Sequence, residues 1–344
     1  MSLILGIDTS CDDTSCAVVS NGKEILSNVV SSQIADHLEY GGVVPEIACR
    51  RHIENSVWVI RKALSDAGCT LDDLSAVAVT HGPGLVGALL VGIGVAKAIA
   101  YSRDLPLIPV NHLEGHIISP FLAPDVEYDF PFASLVVSGG HTSLYIAKEF
   151  GSYELVGRTV DDAAGEAFDK IAKALSLGYP GGPIIESLAS EAEGDCVAFP
   201  SPMIKHDNYD FSFSGLKTAV LNYLRFDLRV TSSDKVPDRI GMDLLKRICA
   251  GFQRAVFDVL IQKTLKLAAS RGITLLALGG GVSANSALRK AFSEAAQQAG
   301  LRVILPPKSL CTDNAAMIAG CAFRHLEKGQ FAGLDLDARP NLAL

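Results

Sequence analysis

An α/β chain organised as two lobes is what this sequence predicts, and three observations carry the prediction. At 344 residues the chain exceeds what one hydrophobic core usually serves. Hydrophobic residues make up 49% and charged residues 20%, with 31 Gly and 15 Pro, the balance of a well-buried, turn-rich α/β protein rather than a disordered or fibrous one. Finally, one local design recurs along the chain: an apolar strand, a turn of small polar residues, then the next element.

The first copy opens with apolar residues 4–8, a turn rich in Thr, Ser and Asp, and a second apolar run at 15–20, a hairpin signal. Helical patterning covers 44–67. Residues 76–80 read as a buried strand broken by Gly82-Pro83-Gly84. The Gly- and Ala-rich stretch 85–100 is short for a membrane span and carries Lys97, so it reads as a buried helix. A short strand at 107–110 delivers the chain to His112. The second copy has a strand at 133–137, the turn Ser138-Gly139-Gly140-His141-Thr142, and a returning strand at 143–147. A third runs from a strand at 274–278 through Gly279-Gly280-Gly281-Val282-Ser283-Ala284-Asn285 into a helix from Ser286. Two duplicated lobes with a nucleotide in the cleft account for three such turns.

The formal net charge of -8 excludes a broad basic face for nucleic acid, so any RNA contact must use local patches or a partner. The eight cysteines are scattered without a C-x-x-C pair, which fits reduced thiols better than a disulfide frame or a zinc ribbon. Residues 1–6 lead straight into a strand-like segment with no basic region or cleavage site. The expectation is a soluble, cytoplasmic protein with no membrane partner.

His112 and His116 are the most informative pair. On a helix two residues four apart lie about 40° apart around the axis, close enough to grip one metal ion. Glu114 lies about 200° round from His112 and points away, unlike the carboxylate that directly follows the first histidine in His-Glu-x-x-His proteases. The alternative is a helix end with two ordinary histidines. A metal needs a third ligand. Asp313, in Cys311-Thr312-Asp313-Asn314 ahead of an apolar helix at 315–323, is a candidate, although its default role is a helix cap or first-turn acid. Histidines 37, 52, 81, 141, 206 and 325 compete, and spacing does not choose among them.

Turns of Gly and Ser after a buried strand let backbone N–H groups approach an anion. Ser138-Gly139-Gly140 and Gly279-Gly280-Gly281 both qualify, with polar side chains at Ser138, Thr142 and Asn285. Neither is a P-loop, and neither has the full G-x-G-x-x-G spacing. Asp169 either accepts from ribose hydroxyls or pairs on a solvated helix face with Lys173. Gly181-Gly182 either lies flat against a sugar or base or forms a turn that needs positive φ.

Several motifs are recognisable together: Gly6-Ile7-Asp8-Thr9-Ser10-Cys11-Asp12-Asp13-Thr14, Gly82-Pro83-Gly84-Leu85-Val86-Gly87, His112-Leu113-Glu114-Gly115-His116, Val137-Ser138-Gly139-Gly140-His141-Thr142, Asp161-Asp162-Ala163-Ala164-Gly165-Glu166-Ala167-Phe168-Asp169-Lys170 and Cys311-Thr312-Asp313-Asn314. In this order the chain closely resembles the bacterial type of the TsaD family, the tRNA N6-adenosine threonylcarbamoyltransferases once labelled O-sialoglycoprotein endopeptidases. The resemblance implies the ASKHA fold of actin, Hsp70 and sugar kinases, two ribonuclease-H-like lobes around a nucleotide cleft. The lobes are expected at 1–118, with 324–344 packing back on the first, and at 119–323.

The resemblance further implies transfer of threonylcarbamoyl from threonylcarbamoyl-AMP to the adenosine 3′ of the anticodon in tRNAs reading ANN codons. It assigns one divalent metal ion, Fe2+ or Zn2+, to His112, His116 and Asp313. The adenylate falls to Val136, Val137, Ser138, Gly139, Gly140, Asp169, Gly182, Glu186 and Asn285. Glu186 stands where many members have Asp, and Asp13 where the usual motif has Glu. Asp12 or Asp13 is the candidate to position the amine or take its proton, set against ordinary turn chemistry. Implied partners are tRNA, a catalytically degenerate TsaB-like paralogue and a small TsaE-like P-loop ATPase. Arg50-Arg51-His52 and Lys246-Arg247 are local basic clusters, either a tRNA contact or, as is commoner for such pairs, plain solvated faces. The helix after Leu85 serves either the lobe core or contact with the paralogue. The rivals are a small-molecule kinase or ATPase on the same fold, which has no task for the histidine pair, a zinc peptidase, disfavoured by Glu114, and an Hsp70-like binding module.

Overall fold

The computed structural model describes residues 1–123, 126–231 and 234–344. These form two compact units, Met1–Tyr128 with Pro306–Leu344, and Asp129–Leu305.

The first unit is built on β1 (Leu3–Asp8), β2 (Asp13–Ser20), β3 (Glu24–Ser32), β4 (Ala76–Gly82) and β5 (Leu107–Asn111), with α1 (Ile34–His37), α2 (Pro45–Ala67), α3 (Val86–Arg103) and α4 (His112–Ile118) between or after them. The sheet order is β3-β2-β1-β4-β5. The β3-β2-β1 part is an antiparallel meander, and β1, β4 and β5 run parallel. Every residue of β1 is buried, the reading of a strand covered on both faces. Leu5, Ile7, Val18, Val59, Val77, Leu89 and Ile93 share one core, each large side chain contributing about 1.5–3 kcal/mol by burial.

In the second unit β6 (Phe132–Val137), β7 (Thr142–Glu149) and β8 (Ser152–Arg158) precede α5 (Ala164–Ala174), α6 (Gly181–Ser190), α7 (Ser214–Asn222), α8 (Val236–Ile240) and α9 (Met242–Arg271). Strand β9 (Leu275–Gly279), α10 (Ser286–Gln298) and β10 (Arg302–Ile304) complete it, in sheet order β10-β9-β6-β7-β8. Antiparallel β8-β7-β6 continues into parallel β6, β9 and β10, so the second sheet repeats the connectivity of the first. The ASKHA fold class and the duplicated lobes are therefore as the sequence implied.

The last helix, α11 (Ala315–Glu327), returns to the first unit. A Cβ on Gly6 would lie 2.4 Å from the Ala315 carbonyl, so α11 sits directly on β1. The expected change-overs at 118/119 and 323/324 thus stand against compact units that change at 128/129 and 305/306. Phe121 stacking on Tyr128 keeps the segment after α4 with the first unit, and the apolar face of α11 needs the sheet of β1. Helix α3, expected to be buried, is buried on one face only: Ala88, Leu89, Gly92, Ile93 and Ala96 face inward, while Val86, Leu90 and Tyr101 stay exposed. Its length and composition alone would pass for a membrane span, yet it packs along β4 and α2.

Candidate metal centre and nucleotide turns

The parallel strands β1, β4 and β5 all end on one side of their sheet, where ligands of α/β proteins gather. The exit of β5 becomes α4 through Asn111, whose side-chain oxygen accepts the Leu113 N–H at 2.9 Å and caps the helix. The two imidazoles of α4 meet edge to face with centroids 4.6 Å apart. From the loop before α11, Asp313 Oδ1 approaches His112 Nε2 at 3.4 Å and His116 Nε2 at 3.2 Å. Asp313 is neither cap nor first-turn acid. The cap is Asn314, which accepts from Met317 N at 3.1 Å while its amide donates to the Thr312 carbonyl at 2.8 Å, so the buried Asn314 shapes the loop that presents Asp313.

Two residues not singled out from the sequence stand behind His112. Its Nδ1 faces Ser10 Oγ at 3.2 Å and Asp8 Oδ2 at 3.6 Å. Burial opposes a proton on His112, but the carboxylates of Asp313 and Asp8 outweigh it and push its pKa up to about 9. Burial likewise works against an ionised Asp313, and the flanking His112 and His116 nonetheless hold its carboxyl well below the usual range. Asp8 is raised by burial.

Two imidazole nitrogens and one carboxylate oxygen within 4.8 Å of one another form a donor set suited to zinc or ferrous iron. The second nitrogen of His112 has the outer-shell partners such ligands use. With 21% of the Asp313 side chain accessible, the cluster has an open side. Among the described residues, none of the other six histidines joins it. His325 instead pairs with Glu114 at 3.0 Å, so Glu114 faces away from the His112–His116 pair as its position on the helix requires.

Asp12 lies in the turn after β1, and Asp13 begins β2 rather than the turn; both are half-buried. Burial and the nearby charge of Asp313 push the Asp13 carboxyl up to about 7, against the bond from Ser32.

In the second unit, Val136 and Val137 are the buried end of β6. Ser138 N–H donates to the His141 carbonyl at 2.7 Å, and Ser138 Oγ accepts the His141 N–H at 3.1 Å, closing a tight turn. Gly139 and Gly140 are exposed, with open space where a Cβ would stand. The third turn lies against this one: Gly280, at φ +86°, would bring a Cβ to 2.4 Å from the Val137 carbonyl. Asn285 caps α10 by accepting from Leu288 N at 3.0 Å, and its amide donates to Gln253 Oε1 at 2.9 Å. Glu186 Oε1 accepts the Ser286 N–H at 2.8 Å, and Asp169 Oδ1 accepts the Gly181 N–H at 2.7 Å. Gly182 has open space beside it. Nine expected residues thus gather near the exits of β6 and β9 and the starts of α6 and α10, where backbone N–H groups favour an anion.

The basic clusters do not form free patches. Arg50 pairs with Glu46, Arg51 with Asp36 and Glu54, and His52 is fully buried. Lys246 pairs with Glu191, and Arg247 donates to the Asp195 carbonyl.

Duplicated α/β units with a His-His-carboxylate cluster and Gly-rich strand-exit turns define an ASKHA-fold protein with a candidate metal centre. HypF of T. kodakarensis is similar at 13% identity and TM-score 0.60, over 97% of this chain and 49% of that one. Component A of the Acidaminococcus fermentans (R)-2-hydroxyglutaryl-CoA dehydratase is similar at 17% identity and TM-score 0.55, over 95% and 100%. At these identities the likeness shows the fold alone. Residues 24–320 match the family model TsaD, tRNA N6-adenosine threonylcarbamoyltransferase. The protein of that name from Clostridium perfringens (strain SM101 / Type A) is 49% identical over 343 residues, 99% of this chain and 98% of that protein. Its Clostridium botulinum (strain Kyoto / Type A2) counterpart is 48% identical over 345 residues, 99% and 97%. The chain belongs to the TsaD family: it is a transferase that places threonylcarbamoyl on N6 of adenosine in tRNA.

Proposed function

We propose that the donor is threonylcarbamoyl-adenylate, a mixed anhydride with AMP, and that the acceptor is the adenosine 3′ of the anticodon in tRNAs reading ANN codons. The adenine N6 attacks the carbamoyl carbon, a C–N bond forms, the C–O bond to phosphate breaks, AMP leaves, and N6 gives up one proton. The observation that carries this reading is the convergence of His112, His116 and Asp313 on one point with an accessible side. These three would hold one divalent ion, Fe2+ or Zn2+, which when bound supplies Lewis-acid polarisation of the threonylcarbamoyl oxygens. Asp8 and Ser10 orient the His112 ring. The backbone of Ser138, Gly139 and Gly140, below Val136 and Val137, receives the AMP phosphate, while Asp169, Gly182, Glu186 and Asn285 line the nucleoside. Asp12 or Asp13 positions the amine or takes its proton; burial raises both carboxyls, Asp13 to about 7, which suits that exchange.

A TsaB-like paralogue suits the exposed apolar side chains of α2 and α3, namely Ile53, Val57, Trp58, Val86 and Leu90. A TsaE-like P-loop ATPase completes the set, and the reaction runs in the cytoplasm with tRNA. The test is to incubate the protein and its paralogue with threonylcarbamoyl-adenylate and unmodified tRNA, then look for modified adenosine by mass spectrometry. ATP turnover on a sugar would favour a kinase, and peptide cleavage a peptidase.

A further inference from the structure

We infer that His52 positions the two carboxylates of the Asp12–Asp13 segment for the transfer reaction without touching substrate. The inference rests on the reading that one of those carboxylates serves the acceptor amine.

His52 is on the buried face of α2, with no solvent exposure. Its Nε2 lies 3.0 Å from the Cys11 carbonyl, and its Nδ1 lies 2.8 Å from Thr14 Oγ1. A carbonyl oxygen only accepts, so Nε2 carries the hydrogen and donates it. In the neutral ring Nδ1 is then an acceptor, and the Thr14 hydroxyl donates to it. Burial lowers the His52 pKa, which keeps the ring in that neutral form. One imidazole therefore ties the residue before Asp12 to the residue after Asp13.

Gln33 closes the frame. Its backbone N–H donates to the Asp12 carbonyl at 3.2 Å, and its side-chain amide lies 3.3 Å from His52 Nδ1 and 3.5 Å from both Thr14 Oγ1 and the Ala48 carbonyl. The carbonyls of Cys11 and Asp12 are thus each anchored, one by α2 and one by the residue that follows β3. The two carboxylates are left half-buried between fixed ends. Hydrogen bonds in a low-dielectric interior are strong, and removing the His52 ring would leave the Cys11 carbonyl and the Thr14 hydroxyl without it at once. A reacting group displaced by about 1 Å loses up to about 100-fold in rate. The histidine that stands beside two arginines in sequence is, in the fold, the far side of the carboxylate turn.

The experiment uses the full chain with its paralogue, tRNA and threonylcarbamoyl-adenylate, and measures kcat, donor KM, bound metal and Tm. His52→Ala is expected to lower kcat between about 10- and 100-fold, with donor KM and metal content unchanged. In His52→Gln, whose amide reaches the same carbonyl, most of that loss is regained. Thr14→Val keeps the shape and removes the hydroxyl, so it shows the same pattern at smaller size if His52→Ala does not fold. The deciding comparison adds Asp12→Asn with Asp13→Asn: on that background His52→Ala should cost nothing more in kcat. Multiplicative losses, or a kcat that simply follows Tm through the series, overturn the role of His52 alone. Full kcat with both carboxylates replaced overturns the carboxylate reading as well, and that result is visible without any His52 variant.

Discussion

Asp8 stands behind His112. Its Oδ2 lies 3.6 Å from the imidazole Nδ1, across the ring from the Nε2 that faces Asp313 at 3.4 Å. A carboxylate in that place fixes the ring's orientation and raises the basicity of the opposite nitrogen. Asp8→Asn keeps the volume and removes the charge. It should weaken divalent-metal affinity about 10–100-fold, as loss of an outer-shell partner does. Competition against a chromophoric chelator measures this, and an unchanged affinity would remove Asp8 from the centre.

The Asp13 carboxyl gives a pH signature. Its folded pKa of about 7 lies above the ordinary aspartate value of 3.8. Between those values the folded chain holds a proton that the unfolded chain has released. The proton-linked stability is full below 3.8 and is lost as pH rises through 7. In chelator-treated protein, Asp13→Asn should therefore raise Tm at pH 8 by a few degrees and change it little at pH 4. Equal shifts at both pH values would show that the substitution acts through packing instead.

The glycines near the Ser138 turn separate binding from folding. Gly140 has open space where a Cβ would go, so Gly140→Ala should leave thermal stability within about 0.5 kcal/mol. In the proposed site the same methyl would occupy the room assigned to the AMP moiety, and AMP affinity by calorimetry should fall at least tenfold. Gly165 differs: a Cβ there would lie 2.6 Å from the Ser138 carbonyl and 2.8 Å from Gly139 Cα. Gly165→Ala should lose both stability and AMP binding, because the turn must move.

Much of this was legible in the chain. Strand-turn-strand segments announced themselves because apolar runs bounded by Gly, Ser and Asp have few other folds, and the i, i+4 histidines specified their own geometry. Asp313 was harder, since it meets His116 across 197 residues and its neighbour Asn314 takes the capping role that the sequence offered to Asp313. His52 was misread as part of a basic surface cluster. A signal was present: Ala48, His52, Ser56, Val59, Ile60 and Ala63 recur at helical spacing and are the buried face of α2. Asp8 carried no signal beyond its place at the end of a buried strand. The change-over near 305 was hidden because only the sheet of β1 explains where α11 belongs.

The exposed side chains of α2 and α3 yield a fourth expectation. Leu90 is 48% exposed and Val57 57% exposed, so charge at either place meets water in the isolated chain. Leu90→Asp and Val57→Asp should leave Tm nearly unchanged and abolish co-elution with the TsaB-like paralogue in size-exclusion chromatography. Retained co-elution would overturn the proposed docking of such a partner on α2 and α3.

The first unit is discontinuous: residues 306–344 supply its helix α11 and the carboxylate of Asp313, while 129–305 form a body of their own. During synthesis the second body can close as soon as it leaves the ribosome. The first must wait, its central strand uncovered on one face, until the last forty or so residues emerge. A message cut short after codon 305 would therefore yield not a weaker enzyme but a whole sheet left bare on one face, ready prey for chaperones and proteases.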